Sequence, residues 1–365
     1  MMRTLLLALC GCMPSVVPDK NSPLGALDDT ASGSGEMSLA VLSTIASDYS
    51  VGSLAVVHLD TLGLEDTLAP TSGDAVVRGL EDTVVVLNRL NTDTLRLYTP
   101  GAWVAPDLEL ALPDLSNPQD AVWCGERLWV SLHNADHLPA YDATGRRVAK
   151  ADLSPWAGSD GSAEASGMVR VGERVVVALQ QLAQDGGWTS EGGAIVAVDC
   201  ETTEVQTLLE APLSPSLVPG PKDGLLLVRT GLYGELDGAV VALEVETGEV
   251  ETLLTEAEVG MDITDVASSS EDVVFLTATT EWTFGVHCLS LQTGSWQTGL
   301  VTSSYLSEVA MDDRGRAWVS VREGWGPEAA LEPGLILFDA ATCAPVLEDG
   351  ASIKPTLAPF NVSFL

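Results

Sequence analysis

The sequence predicts an all-β chain, a seven-bladed β-propeller of four-stranded blades whose ring is closed by the C-terminal strand joining the N-terminal blade. Three observations carry this expectation. A hairpin unit recurs seven times, two further strand-like runs precede it in each complete unit, and the two chain ends hold complementary parts of one incomplete unit.

The hairpin is clearest at Val240-Val241-Ala242-Leu243-Glu244-Val245-Glu246-Thr247-Gly248-Glu249-Val250-Glu251-Thr252-Leu253-Leu254, where partly alternating apolar residues flank a Glu-Thr-Gly turn. Equivalent turns fall at Leu62-Gly63, Pro100-Gly101, Thr144-Gly145, Thr202-Thr203, Thr293-Gly294 and Thr342-Cys343. Their spacing of about 40 to 60 residues is the period of a propeller blade. Upstream of each hairpin lie two more runs, as in Asp120-Ala121-Val122-Trp123 and Arg127-Leu128-Trp129-Val130-Ser131-Leu132, split by a Gly-Glu turn. Each unit therefore has strands A to D. Six units have A strands beginning near Asp74, Asp120, Gly167, Ser216, Asp265 and Glu308, whereas the hairpin at 52–68 has only a B strand before it. Pro359-Phe360-Asn361-Val362-Ser363-Phe364-Leu365 reads as the missing A strand, and pairing the two ends removes the exposed edges of an open array.

Ahead of the repeat, Met1-Met2-Arg3 and Thr4-Leu5-Leu6-Leu7-Ala8-Leu9 form a short basic and then a short apolar region, too brief for a stable membrane span. Residues 1–12 read as a signal peptide. Residues 13–37, with Pro14, Pro18, Pro23 and Ser32-Gly33-Ser34-Gly35, read as a flexible tether, and residues 38–365 as the propeller. The chain carries 52 acidic against 17 basic residues, a net charge of −35. Such a surface repels phosphate backbones, and the only adjacent basic pair beyond the leader is Arg146-Arg147, so nucleic acid is not an expected partner.

Several motifs resemble known families. Leu9-Cys10-Gly11-Cys12 resembles the lipobox of bacterial lipoproteins, which implies cleavage before Cys12 and its lipidation. Met13 is not the Asp that retains such proteins in the inner membrane, so the resemblance implies an outer-membrane or cell-surface lipoprotein, with a periplasmic or secreted protein as the alternative. Leu80-Glu81-Asp82-Thr83-Val84-Val85-Val86-Leu87-Asn88-Arg89-Leu90 and Glu126-Arg127-Leu128-Trp129-Val130-Ser131 look like the B-strand regions of YVTN-type propellers. Met311-Asp312-Asp313-Arg314-Gly315-Arg316-Ala317-Trp318-Val319 is similar to the pattern of NHL and streptogramin-lyase-like propellers, within the wider WD40-like superfamily. These architectures host binding proteins, scaffolds and some enzymes alike.

Three constellations are candidates for function. Asp74, Asp120, Asp265, Glu308 and Asn361 stand near the starts of A strands, which line a propeller's channel, and hard oxygen donors at one mouth suit Ca²⁺ or a polar substrate. The competing reading is that each caps a neighbouring backbone turn. The second constellation is aromatic. B-to-C connections hold Tyr49, Trp188, Tyr233, Trp282 and Trp325, and D-to-A connections add Trp156 and Tyr305 on the same face; rigid rings there suit sugar faces or extended peptides, unless they fold back on the rim. The third is His133-Asn134-Ala135-Asp136-His137, whose imidazoles and carboxylate flank one turn and could hold a transition metal or simply be exposed. Trp129 and Trp318 occupy matching B-strand positions and are expected in the core, and His58 and His287 in C strands are expected to be structural. Cys124, Cys200, Cys288 and Cys343 lie in different blades, and neither their pairing nor a set of free thiols is decided by their spacing.

The function expected from these features is an exported, lipid-anchored binding or scaffold protein whose loop face takes a glycan, a peptide or an envelope protein. Its membrane contact would be the N-terminal lipid alone, and no cofactor is required, Ca²⁺ being the one candidate. The alternative is a propeller enzyme, lyase- or lactonase-like, with Asp120, Asp265, Glu308 or His133 as its acid or base; no matched catalytic constellation supports it.

Overall fold

The computed structural model describes residues 37–183, 189–190, 192–210, 213–324 and 331–365. The expected signal peptide, Cys12 and all of the expected tether except Met37 lie outside these residues. The strands form seven four-stranded antiparallel sheets, the blades of a seven-bladed propeller. Blade 1 combines both chain ends, with Ala358–Phe364 innermost, then Leu39–Ile45, Gly52–His58 and Gly63–Thr71. Asn361 stands opposite Ser43 and Val362 opposite Leu42, so the ring closes as the sequence predicts. Blades 2 to 7 follow in chain order; in blade 4 a small extra hairpin, Leu182–Ala183 with Thr189–Ser190, sits in the B-to-C connection.

Alternation is weak in the inner strands because each blade is packed between two others, so both of its faces are dry. Thr83–Asn88 and Arg174–Leu179 are buried at every position but the first. Outer strands such as Gly63–Thr71 alternate between exposed and half-buried residues over most of their length. The apolar core therefore lies between blades. Trp129 packs with Val175 and Val196 across the joint of blades 3 and 4, and Trp318 with Leu42 and Val362 across the joint of blades 7 and 1. Both tryptophans are fully buried, as expected, and Trp318 Nε1 donates to Asp312 Oδ2 at 2.9 Å. His287 also has the structural role expected of it. It bridges three strands of blade 6 through Thr277 Oγ1 at 2.9 Å and Thr298 Oγ1 at 3.1 Å, and its ring stacks on Phe275.

Two outer edges differ from the repeat. In blade 2 the expected turn at Gly101 is part of a longer excursion between Thr94–Tyr98 and Leu108–Ala111, which folds Trp103 back beside Tyr98. In blade 7 the outer strand is only Ala344–Pro345. Between blades 5 and 6 a one-turn helix, Glu256–Val259, is defined by a capping box of Thr255 and Glu258 and stopped by Gly260 at φ 76°.

The four cysteines form two disulfides, Cys124–Cys200 and Cys288–Cys343. Each partner lies in the neighbouring blade, 76 and 55 residues away in sequence, so the bonds staple blade 3 to blade 4 and blade 6 to blade 7. The free-thiol alternative is thereby displaced. Linear spacing could not reveal the pairing because proximity here runs around the ring.

Candidate functional site

Every blade places its A-to-B turn on one face of the disc and its B-to-C and D-to-A connections on the other, the loop face. The innermost strands of blades 3, 6, 7 and 1 each contain a bulge, at Gln119, Thr264, Ser307 and Phe360. The residue after the bulge is Asp120, Asp265, Glu308 or Asn361, so the structure does bring these four expected site residues to equivalent places. Each accepts an amide from the next blade. Met168 N donates to Asp120 Oδ2 at 2.6 Å, Val309 N to Asp265 Oδ2 at 2.8 Å, Val362 N to Glu308 Oε2 at 2.9 Å, and Val77 N to Asn361 Oδ1 at 2.5 Å. Arg78 Nε adds a charged donor to Asp120, and Asn361 Nδ2 donates to Glu308 Oε1 at 2.9 Å. The result is a belt that stitches inner strands together, with Glu308 pushed well above the usual carboxylate range by burial and then by Asp265.

Asp74 departs from this set. It precedes its strand, lies outside the belt and pairs with Arg89. Among the described residues no cluster of three or more His, Cys, Asp or Glu side chains is placed to hold a metal ion. The histidine motif divides in the same way: His133 Nδ1 meets Asn134 Oδ1 at 3.1 Å, while His137 Nδ1 meets Asp136 Oδ1 at 2.8 Å. Burial chiefly, with the Arg89 charge acting in the same direction, pushes His133 down to about 4, so it is neutral at neutral pH.

The aromatic set also separates. Among its described members Tyr49 and Trp282 are exposed, at 43% and 37%. Both sit in tight B-to-C turns with left-handed backbone, φ 57° and 62°, a conformation that bulky residues adopt only at a cost of about 1–2 kcal/mol. Gly73 fits beneath the first turn, where a Cβ would meet Tyr49 O at 1.8 Å. Tyr233 is half-buried and donates its hydroxyl to Thr279 O at 2.7 Å; Trp156 is half-buried in the 3-10 turn Ser154–Trp156. Tyr305 is buried edge-on against Phe284, which makes it core rather than surface. Trp188 and Trp325 lie outside the described residues.

A feature that sequence reasoning missed links these loops to the channel. Arg89 and Arg322 occupy the same register, each the residue immediately after a B strand. Both guanidiniums stand 5.6 Å from the centroid of the Phe360 ring, and Arg322 lies 4.8 Å from that of Tyr49. A ladder of Tyr49, Arg322, Phe360 and Arg89 thus crosses blades 7, 1 and 2 at the loop-face mouth. Arg89 continues it to Asp74 and to Gln119 Oε1 at 2.7 Å. The available signal was positional: with so few basic residues in the chain, two fall at one repeat position.

On the opposite face the A-to-B turns of blades 4 to 7 surround a cavity of about 940 Å³, with Arg170, Lys222, Ser269, Asp272 and Asp313 in its wall. Met37 also lines it and donates its backbone N–H to Asp313 Oδ2 at 2.8 Å. The chain therefore enters the propeller on the turn face.

No protein-family profile matches this chain, and no curated protein does. Its fold is similar to several solved propellers. A candidate 6-phosphogluconolactonase from Bacteroides uniformis aligns with a TM-score of 0.60 at 10% identity, over 91% of this chain and 100% of its own. A catalytically inactive virginiamycin B lyase from Staphylococcus aureus, solved with quinupristin, gives 0.54 at 13% identity over 80% and 94%. The β-propeller domain of Cps50 (Swd1) from Myceliophteria thermophila gives 0.55 at 11% identity over 84% and 98%. At such identities the likeness is one of fold.

Proposed function

We propose that this protein is an exported, lipid-tethered propeller that binds a glycan, a peptide or an envelope protein through its loop face. The observation that carries the reading is the pair Tyr49 and Trp282, two large rings exposed on that face and held in strained turns. Two inter-blade disulfides support an oxidising compartment outside the cytoplasm. The entry of Met37 on the turn face supports an arrangement in which the tether leaves that side and the loop face points away from the membrane. The full chain, purified in detergent, is to be applied to glycan and peptide arrays with and without Ca²⁺. Binding that drops at least tenfold in Tyr49→Ala or Trp282→Ala supports the reading; silence of the wild type on every array overturns it. Separately, Cys12→Ser is expected to move the protein from the membrane fraction to the soluble one, and retention in the membrane would remove the lipid anchor from the proposal.

A further inference from the structure

Arg322 is the anomaly of the loop face. Its side chain is 3% exposed, yet among the described residues its guanidinium makes no hydrogen bond. The nearest carboxylate oxygen, Glu323 Oε2, is 3.6 Å away, too far for one, and belongs to a partly exposed side chain free to swing out. Buried charges ordinarily carry paired, hydrogen-bonded partners, because an uncompensated one costs several kcal/mol. The two rings that flank Arg322 leave the edge of its planar fork for an acceptor. Across Phe360, Arg89 leaves its Nε without a partner among the described residues. Buried donors from blades 7 and 2 are thus incompletely satisfied around one mouth.

We infer that this mouth is a carboxylate subsite, with Arg322 as its main anchor and Arg89 as its second cation, and that the carboxylate is that of an acidic sugar. This rests on the loop-face reading above and names its ligand class. A planar carboxylate matches the guanidinium fork with two parallel charge-assisted bonds. A pyranose ring attached to it can lie against the exposed part of Tyr49. A peptide is less suited. Each inner strand is the edge of its own sheet, but the amides of Val77, Met168, Val309 and Val362 on these edges are already taken by side chains of the preceding blade, so an extended chain finds no open ladder to add to there.

The test is calorimetric titration of the full chain in detergent with D-glucuronate, D-glucose, succinate and a glutamate-rich peptide. Glucuronate is expected to bind at least tenfold more tightly than glucose or succinate. Arg322→Leu is expected to weaken glucuronate at least tenfold while raising the melting temperature of the ligand-free protein, since it removes a buried cation lacking hydrogen bonds. Arg322→Lys, which keeps the charge without the fork, is expected to weaken binding less and covers the case in which the leucine variant fails to fold. Glu323→Gln is expected to tighten binding by withdrawing a competing carboxylate. An array ligand lost in Trp282→Ala but unaffected by Arg322→Leu and Arg322→Lys would leave the loop-face reading standing and overturn the subsite. Arg322-dependent binding of the peptide with none of glucuronate would overturn the sugar assignment. Absence of any ligand would overturn both readings.

Discussion

Replacing Asp120 by alanine tests whether the carboxylates near the channel are stitches or ligands. Asp120 is fully enclosed and accepts from Arg78 Nε, from Met168 N at 2.6 Å and from Ala121 N at 2.7 Å. The first two donors belong to the blades on either side, so one side chain ties three blades. Breaking a buried ion pair costs about 3–5 kcal/mol, and leaving an amide without its acceptor adds about 1–3 kcal/mol. Neighbouring losses overlap, so the expected destabilisation is about 5 kcal/mol. Asp265→Ala removes the acceptor of Val309 N and Val266 N and relieves repulsion on Glu308, so it is expected to cost at least about 2 kcal/mol. Urea unfolding followed by tryptophan fluorescence, with both disulfides oxidised, measures the difference. The double variant Asp120→Leu/Arg78→Met is expected to recover at least half of the loss. A cost for Asp120→Ala below about 1.5 kcal/mol, or a Ca²⁺-induced rise in wild-type melting temperature that Asp120→Ala abolishes, would refute the stitching argument.

Further predictions concern the staples, the histidines, the turn under Tyr49 and the ring closure. Removing Cys124–Cys200 by a double alanine substitution frees a 76-residue loop and is expected to cost up to about 4.5 kcal/mol on the chain-entropy relation, and removing Cys288–Cys343 about 4 kcal/mol; equilibrium unfolding checks both, and losses below about 1 kcal/mol would refute them. His133 and His287 are both held at about 4 by burial, so the folded chain binds fewer protons than the unfolded one between there and 6.5. Stability is therefore expected to fall as pH drops through this window, by about 2 kcal/mol per histidine at pH 5, and His287→Gln should flatten the profile measured by thermal unfolding. Glu308 has the opposite sign: its raised pKa gives a contribution complete below the ordinary carboxylate value and lost as pH rises through the folded one, so Glu308→Gln should remove that decline. Gly73→Ala is expected to weaken loop-face ligands by displacing Tyr49, with global stability falling by only about 1–3 kcal/mol. Saturating glucuronate is expected to slow hydrogen exchange in Ala358–Phe364; unchanged exchange would place the ligand elsewhere.

The architecture was legible because it is written as repetition. Seven hairpin turns and two mismatched ends are enough to count blades and close the ring, and Trp129 and Trp318 could be placed in the core because they share a repeat position. The same register logic brought Asp120, Asp265, Glu308 and Asn361 together, but their role depends on which backbone amide lies opposite in the next blade, and that is set by bulges no periodicity reveals. Asp74 begins a strand-like run in the sequence, but the strand starts at Ala75, without a bulge. Residue type alone could not sort the loop aromatics: Tyr305 packs against Phe284 and Tyr49 stays exposed, though both are tyrosines in loop-face connections. The disulfide pairing was hidden for the reason that makes the fold a ring, since its contacts join blades and not neighbouring residues.

The position of the arginine ladder relative to the covalent staples bears on how the disc works. Disulfides hold blades 3 to 4 and 6 to 7, whereas blades 7, 1 and 2 meet through packing and hydrogen bonds across the closure of the ring. Tyr49, Arg322, Phe360 and Arg89 lie across these joints, with Phe360 itself the bulge of the closing strand. A group bound between Arg322 and Arg89 would therefore add contacts across the non-covalent pairing of Leu39–Ile45 with Ala358–Phe364, where no disulfide staples the ring. Loss of such a group would leave a buried cation at the joint between the first and last blades. Ligand affinity and ring closure are then linked by mass action: whatever satisfies Arg322 also holds the two ends of the chain together.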